Sequence, residues 1–266
     1  MNTAEPLHRP IAQDAFLSTL ASDRRFEGLL LSADLVLDQL DLTECRFERC
    51  LFRIPTIRSA DFSGAEFNDC RFEPTRFANC KARKTRFVGC TLFDASSKNG
   101  CTFAFCDLQA AEIIRSNFSG SAFEGCDLYG VNAKDSSFRG ARLPRSTFTK
   151  VISRRSTLSK ASFDTCNFSF ADLSDLNLQS CEFMSCKMSE VSLIDSDLSH
   201  AVMLRCTLDR AEWERARLHK ADLRGSNLSG LNLAVLADYA GLRISESEQA
   251  ELLRHLGVDV DSSGRD

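Results

Sequence analysis

Residues 101–130 read CTFAF CDLQA AEIIR SNFSG SAFEG CDLYG, six consecutive five-residue units with a small residue first and a large apolar residue third. The large residue is position i, so the unit runs from i−2 to i+2. The pattern extends in both directions. Residues 40–94 make 11 such units, with Leu, Phe or Ile at i except for Ala82. The six residues ASSKNG (95–100) then advance the frame by one. From 101 to 235 another 27 units follow with no apparent insertion, and only Ala133 and Ser153 lack a large apolar i residue.

A five-residue period matches neither an amphipathic helix nor an alternating strand, so a solenoid that gives every unit the same environment is the physical solution. Two inward positions in five predict an all-β solenoid in which each unit forms one side and four sides close a coil. Fifteen of the 20 Phe occupy i, where they fill the axis. All 12 Cys occupy i−2, interchanging with Ala, Ser, Thr and Val, which reads as a small buried hydrophobe rather than a metal or disulfide framework. Cys106, Cys126, Ser146, Cys166, Cys186 and Cys206 are spaced by multiples of 20 and are expected in one column. Gly64, Gly89, Gly120, Gly125, Gly130, Gly140, Gly225 and Gly230 all occupy i+2, where a recurrent corner calls for positive φ.

Residues 1–34 are expected to form an N-terminal helical cap and extension, 35–235 the β-helix with its insertion at 95–100, and 236–266 a C-terminal helical cap with a disordered tail. The front cap is read in PIAQDAFLSTLAS (10–22), with Pro10 near the first turn and Ile11, Ala15, Phe16 and Leu20 apolar. At the back, Ser245 and Glu248 have capping-box spacing, Leu252, Leu253 and Leu256 form an apolar stripe, and Gly257 stops the helix. Such caps cover sheet edges that a solenoid otherwise leaves open.

The net charge of −4, the absence of a long apolar run and the lack of a secretory leader predict a cytoplasmic protein that binds neither membrane nor nucleic acid directly. His8, His200, His219 and His255 are scattered, and no phosphate loop, nucleophile elbow or metal-ligand spacing occurs. No enzymatic activity, catalytic residue, metal or cofactor is expected. His200 and His219 should point outward near one corner, and Trp213, at i, inward.

The repeat resembles that of the pentapeptide-repeat proteins, which implies a right-handed quadrilateral β-helix. Within that superfamily, CTLFDASSKNGCTF (90–103) and GLRISESEQAELLRHLGVDV (241–260) resemble segments of the Qnr-type proteins that protect type II topoisomerases from quinolones, and NFSFADLSDLNLQSCEF (167–183) adds a weaker likeness. The resemblance implies a homodimer through the C-terminal helix, with Leu252, Leu253 and Leu256 at the seam. It also implies a rod that mimics DNA and docks on gyrase or topoisomerase IV, with Asp94, Ala95, Ser96, Ser97, Lys98, Asn99 and Gly100 as the partner-sensing loop.

Charge comes in blocks. Asp172, Asp175, Glu182, Glu190, Asp195 and Asp197 stand against Lys187 alone and form a candidate acidic dock. Arg139, Arg142, Arg145, Lys150, Arg154, Arg155 and Lys160 form a run without an acid, and 205–224 are again Arg-rich. This alternation keeps a second reading open: an adaptor or scaffold, such as a secretion-system accessory or a regulator, binding another protein through its flat sides.

Overall fold

The computed structural model describes residues 8–153 and 156–260. Phe26, Phe47, Phe67, Phe87, Ile113, Ala133, Phe163, Phe183 and Met203 occupy successive strands of one parallel, in-register sheet. A further bridge joins Val202 to Asp222. The molecule is a right-handed quadrilateral β-helix of about 10 turns. We number the sides one to four in chain order. That sheet is side one, and Phe52 and Phe72 lie on side two. Ile57, Phe77, Phe103 and Phe123 lie on side three. Side four is joined by bridges from Asp41 through Asp61, Lys81 and Asp107 to Asp127.

The i residues fill the axis. The rings of Phe47 and Phe67 stack at 5.0 Å and those of Phe67 and Phe87 at 5.1 Å. Trp213 is buried in the same core. Corners at i+2 are left-handed, and most carry no glycine: Asp69, Asn79, Arg115 and Asp175 all have φ between 51 and 59° or slightly below, at 47° for Arg115. Glycine is demanded more strictly at Gly125, where φ is +61° and a Cβ would come within 2.8 Å of the Phe105 ring.

Two corner types account for much of the choice at i−2, although Cys45 and Cys181 also stand at tight corners. In a tight corner the next backbone N–H returns to the i carbonyl, as from Ala65 to Phe62 at 2.9 Å, and Ala or Val suffices at i−2. In an extended corner the i carbonyl instead accepts from a thiol or hydroxyl of the following coil. Cys70 Sγ donates to Phe47 O at 3.3 Å, Cys126 Sγ to Phe103 O at 3.3 Å, and Ser116 Oγ to Phe87 O at 3.2 Å. Cys and Ser interchange because both are small donors. The thiols are all free and buried, and burial pushes Cys101 and Cys181 up to about 12, away from the reactive thiolate.

The coils do not all have the same length. Twenty residues separate Phe67 from Phe87, but 26 separate Phe87 from Ile113 and 30 separate Ala133 from Phe163. The first excess is the expected insertion, a hairpin of Phe93–Asp94 with Asn99–Gly100. The second corrects the reading of an unbroken frame: Thr149–Ser153 and Ser156–Ser159 leave the rod as an antiparallel hairpin. Lys160 N then bonds Phe148 O at 3.0 Å, resuming the coil where it stopped. Ten extra residues are two whole units, so the excursion leaves no trace in the frame. It does shift the columns by half a coil. Cys106 and Cys126 therefore stack under Ser146, whereas Cys166, Cys186 and Cys206 continue the column of Ser116 and Ser136, contrary to the single column expected.

The caps also depart from expectation in detail. Helix α1 is Gln13–Ser22, and Pro10 belongs to a short strand paired with Leu30. Phe16 stacks on Phe26 at 4.5 Å and so closes the axis. The coils begin before residue 35, since Arg25–Glu27 already pairs with Arg46–Glu48. They run past 235, where Leu223 N bonds Arg243 O at 2.8 Å. Ser245 and Glu248 do not form a capping box. Ser245 Oγ accepts from Gly225 N at 2.7 Å and Glu248 Oε2 from Leu228 N at 3.3 Å, satisfying the open edge of the last coil. Helix α2 spans Gln249–His255. The tail 261–266 lies outside the described residues.

Phe67→Ala should cost about 3–5 kcal/mol in urea unfolding, because its neighbours on both sides are fixed by the ladder and cannot collapse onto the void; a loss below about 1 kcal/mol would contradict the stacked axis. Excising residues 149–158 should leave a single cooperative transition near the wild-type temperature. A broadened or strongly lowered transition would show that the hairpin is part of the rod.

Candidate functional site

The repeat favours an acceptor at i−1 without requiring one, since Lys81, Lys187 and Arg217 also stand there at tight corners. Where Asp or Asn occupies i−1 of a tight-corner unit, its side chain accepts the N–H of i+1, as Asp41 Oδ1 does from Thr43 at 3.0 Å and Asn117 Oδ1 from Ser119 at 3.0 Å. Asp and Asn satisfy this contact equally. On side two the acceptors are Asn117, Asn167 and Asn227. On side four, opposite, they are Asp41, Asp61, Asp107, Asp127, Asp197 and Asp238, with Asn177 among them. The turn needs only the oxygen; the charge on side four is additional to it.

Bridges run from Asp41 to Thr147 and again from Asn177 to Asp238, the same side resumed after the second hairpin, with Lys81, Thr147 and Arg217 interrupting the aspartates. Asp41 pairs with Arg24 at 3.2 Å and Asp61 with Lys81 at 3.6 Å, while Arg83 pairs with Asp107. Gln109 and Gln179 donate to Asp127 and Asp197 at 2.7 and 2.6 Å, orienting those carboxylates without neutralising them. His219 Nδ1 lies 3.3 Å from Asp238, and the His219 and His200 rings meet at 5.7 Å, at one corner as expected. Hydrogen bonds from Thr43 and Arg24 hold the Asp41 carboxyl down at about 2. A depressed carboxylate stabilises the fold above its ordinary range and loses that contribution as pH falls toward the depressed value.

The six acids of the 172–197 block do not gather. Asp172 lies on side three, Asp175 and Asp195 on the corner that follows it, Glu182 on side one, Glu190 on the corner after side two, and Asp197 on side four. Glu190 pairs with Arg210 at 2.8 Å, and Asp195 accepts from Arg215 Nε at 2.6 Å. Only Asp197 joins the column. The other column members escaped sequence reasoning because Asp107, Asp127 and Asp197 fall into register with Asp41 and Asp61 only after both hairpins are removed from the count.

The first hairpin projects from the corner after side two and the second from the diagonally opposite corner. In the first, Asp94 accepts from Ser96 N and Ser97 N, each at 3.1 Å, and from Ser96 Oγ at 2.6 Å. Those bonds hold its carboxyl well below the usual range. Ala95 through Asn99 are exposed and Gly100 is half-buried. At the C-terminal end Leu252 is buried against the last coil, whereas Leu253 and Leu256 are exposed with Val258. Arg154 and Arg155 lie outside the described residues. Among the described residues no group of three or more His, Cys, Asp or Glu is arranged to hold a metal ion, and no helix is long and apolar enough to cross a membrane.

Comparison with known families agrees with this geometry. A model of pentapeptide repeats (8 copies) matches residues 57–94 and 106–149, and a model of the pentapeptide repeat region matches 156–233. The chain is a pentapeptide-repeat protein. The breaks between its matched segments fall at the two hairpins. Full-length QnrB1, a plasmid-mediated fluoroquinolone resistance protein, superposes with a TM-score of 0.66 at 20% identity, covering 88% of this chain and 97% of QnrB1. A trypsin-treated variant of QnrB1 gives 0.67 at 20% identity over 90% and 99%. At this identity the likeness establishes the shared fold. No curated protein matches the sequence.

Asp127→Asn should preserve stability, since the amide oxygen still accepts from Tyr129 N. Asp127→Ala should lose roughly 0.5–1.5 kcal/mol. Equal losses for both in chemical denaturation would show that the charge itself is structural.

Proposed function

We propose that this pentapeptide-repeat protein is a non-enzymatic DNA mimic that binds the DNA-binding surface of a type II topoisomerase, DNA gyrase or topoisomerase IV, and protects it from poisons such as quinolones. The observation that carries the reading is the aspartate column of side four, where charge is present that the fold does not require. A column of carboxylates on a narrow, straight rod complements a basic saddle shaped for duplex DNA. The fold shared with QnrB1 over nearly its full length supports the same reading.

The magnitudes set its limits. Six carboxylates over the ten coils of the column are about one charge per 8 Å, roughly a fifth of the charge density of duplex DNA, which carries one per ~1.7 Å. Shape and the hairpins must therefore contribute to affinity, and binding should depend less steeply on salt than DNA binding does. The exposed Leu253 and Leu256 support a homodimer seam in which Leu252 remains committed to the cap. Leu253→Glu with Leu256→Glu should then give monomers by light scattering with an unchanged unfolding temperature; an unchanged mass would reject the seam.

The direct test is binding to purified gyrase with linear duplex DNA as competitor. The reading expects DNA to displace the protein, and Asp107→Asn, Asp127→Asn and Asp197→Asn together to weaken binding without altering thermal unfolding. Binding indifferent to both DNA and the triple substitution would overturn mimicry and favour an adaptor role.

A further inference from the structure

Side three changes sign midway along the rod. Counting coils from Phe26, its outward i−1 column holds Thr102, Ala122, Arg142, Asp172, Ser192 and Glu212 on coils four to nine, in register. The corner that follows carries Arg145 on coil six and Asp175 on coil seven. Coil six therefore presents two arginines on this face and coil seven two aspartates. All four are exposed, and among the described residues none has an ion-pair partner. Opposite charges one coil apart close elsewhere: Arg46 on Glu66 at 3.6 Å, Arg53 on Glu73 at 2.8 Å, Arg210 on Glu190 at 2.8 Å. Arg142 and Asp172 are neighbours in the same ladder and do not.

A face of mixed sign constrains its occupant. A phosphate backbone would meet Asp172, Asp175 and Glu212, and a uniformly basic or uniformly acidic protein surface would be repelled by one of the two coils. A surface that carries the same charges in reversed order matches both coils, and a second copy of this chain turned end for end is such a surface. A twofold axis normal to side three, between coils six and seven, reverses both the order of the coils and the direction of the strands. Coil six then faces coil seven, five faces eight and four faces nine. Because the strands run oppositely, an i−1 residue faces the later positions of the opposing unit. Arg142 meets the second copy's Asp175 and Arg145 its Asp172, and the symmetry doubles both pairs. Ala122 meets the half-buried Ile194, and Phe105, exposed at 58%, meets Arg210 at the opposing corner. Ala104 and Ala122 are outward yet buried, which keeps the face low enough for two rods to approach. Among the positions so opposed, no two carry like charge.

We propose that side three is a self-association surface, on which a second copy of this chain docks antiparallel about a twofold axis between coils six and seven. The contact is separate from the C-terminal seam and from side four, and it stands whether or not the protein binds a topoisomerase. Side four of each copy then lies beside side two of the other, so both aspartate columns stay open to a partner. Exposed ion pairs are weak and are screened over a Debye length of ~8 Å at physiological ionic strength. The association therefore belongs to low salt and high protein concentration, whereas an apolar C-terminal seam persists at high salt.

The test uses the full-length chain carrying Leu253→Glu and Leu256→Glu, so that the C-terminal seam contributes nothing. Sedimentation velocity of this parent should show a concentration-dependent dimer at low salt that dissociates at high salt. Arg142→Glu with Arg145→Glu, and separately Asp172→Arg with Asp175→Arg, should each be monomeric at low salt, since like charges then face one another. An equimolar mixture of the two variants should regain the dimer, because every opposed pair is again of opposite sign. The substitutions suit the ladder: Glu190 and Arg205 already stand at left-handed corners with φ of 56 and 54°, and Glu212 and Arg217 at i−1. A parent that stays monomeric at low salt, separate variants that still associate, or a mixture that does not would each overturn the proposal. No topoisomerase is present, so failure here and failure of mimicry are read separately.

Discussion

Coils of a parallel in-register ladder can bond to one another only when residues one turn apart share a backbone conformation, and nearly every other feature of this molecule follows from that requirement. Left-handed corners recur because one corner fixes the next. They are occupied by Asp, Asn, Arg, Lys and Ser as well as Gly, at an intrinsic cost for a left-handed L-residue that the ladder offsets at every coil. The same requirement brings chemically equivalent positions into columns: rings on rings along the axis, thiols under carbonyls at the extended corners, acceptors over acceptors on each side.

Columns make the surface programmable without disturbing the core. Where an i−1 residue presents an oxygen to the turn, the choice between Asn and Asp decides only whether that point is neutral or charged. Side two makes this contact with Asn117, Asn167 and Asn227, and side four mostly with Asp. Function on such a rod need not be built from a cleft. It is written as a series of single-atom choices repeated at the coil spacing, and the two hairpins interrupt that series at diagonally opposite corners, where each can touch a partner beyond the flat side.

Much of this was legible in the sequence, for a physical reason: a strict five-residue period admits few backbones. The inward positions, the burial of Trp213 and the thiols, and the first hairpin follow from it, while the two terminal helices were legible from their own apolar patterning. The second hairpin was concealed because its ten residues preserve the frame; in the structure the exposure of Val151, Ile152 and Leu158 marks it. Ser153, the one polar i residue, was the visible symptom. That hidden excursion also scrambled the predicted columns, so the aspartates of side four and the split of the cysteines could not be read correctly. The capping-box spacing of Ser245 and Glu248 misled for a different reason: the open edge of the last coil offered those side chains unsatisfied N–H groups, which compete with the helix terminus for them.

The central claim is that side four faces the partner. A photo-crosslinking residue placed at Tyr129 or Ser199 on side four, and in separate variants at Ser119 or Ser229 on side two, would be illuminated with purified gyrase. The account predicts crosslinks from Tyr129 and Ser199 that duplex DNA suppresses, and none from side two. Crosslinks confined to side two, or a yield on side four that DNA leaves unchanged, would contradict it.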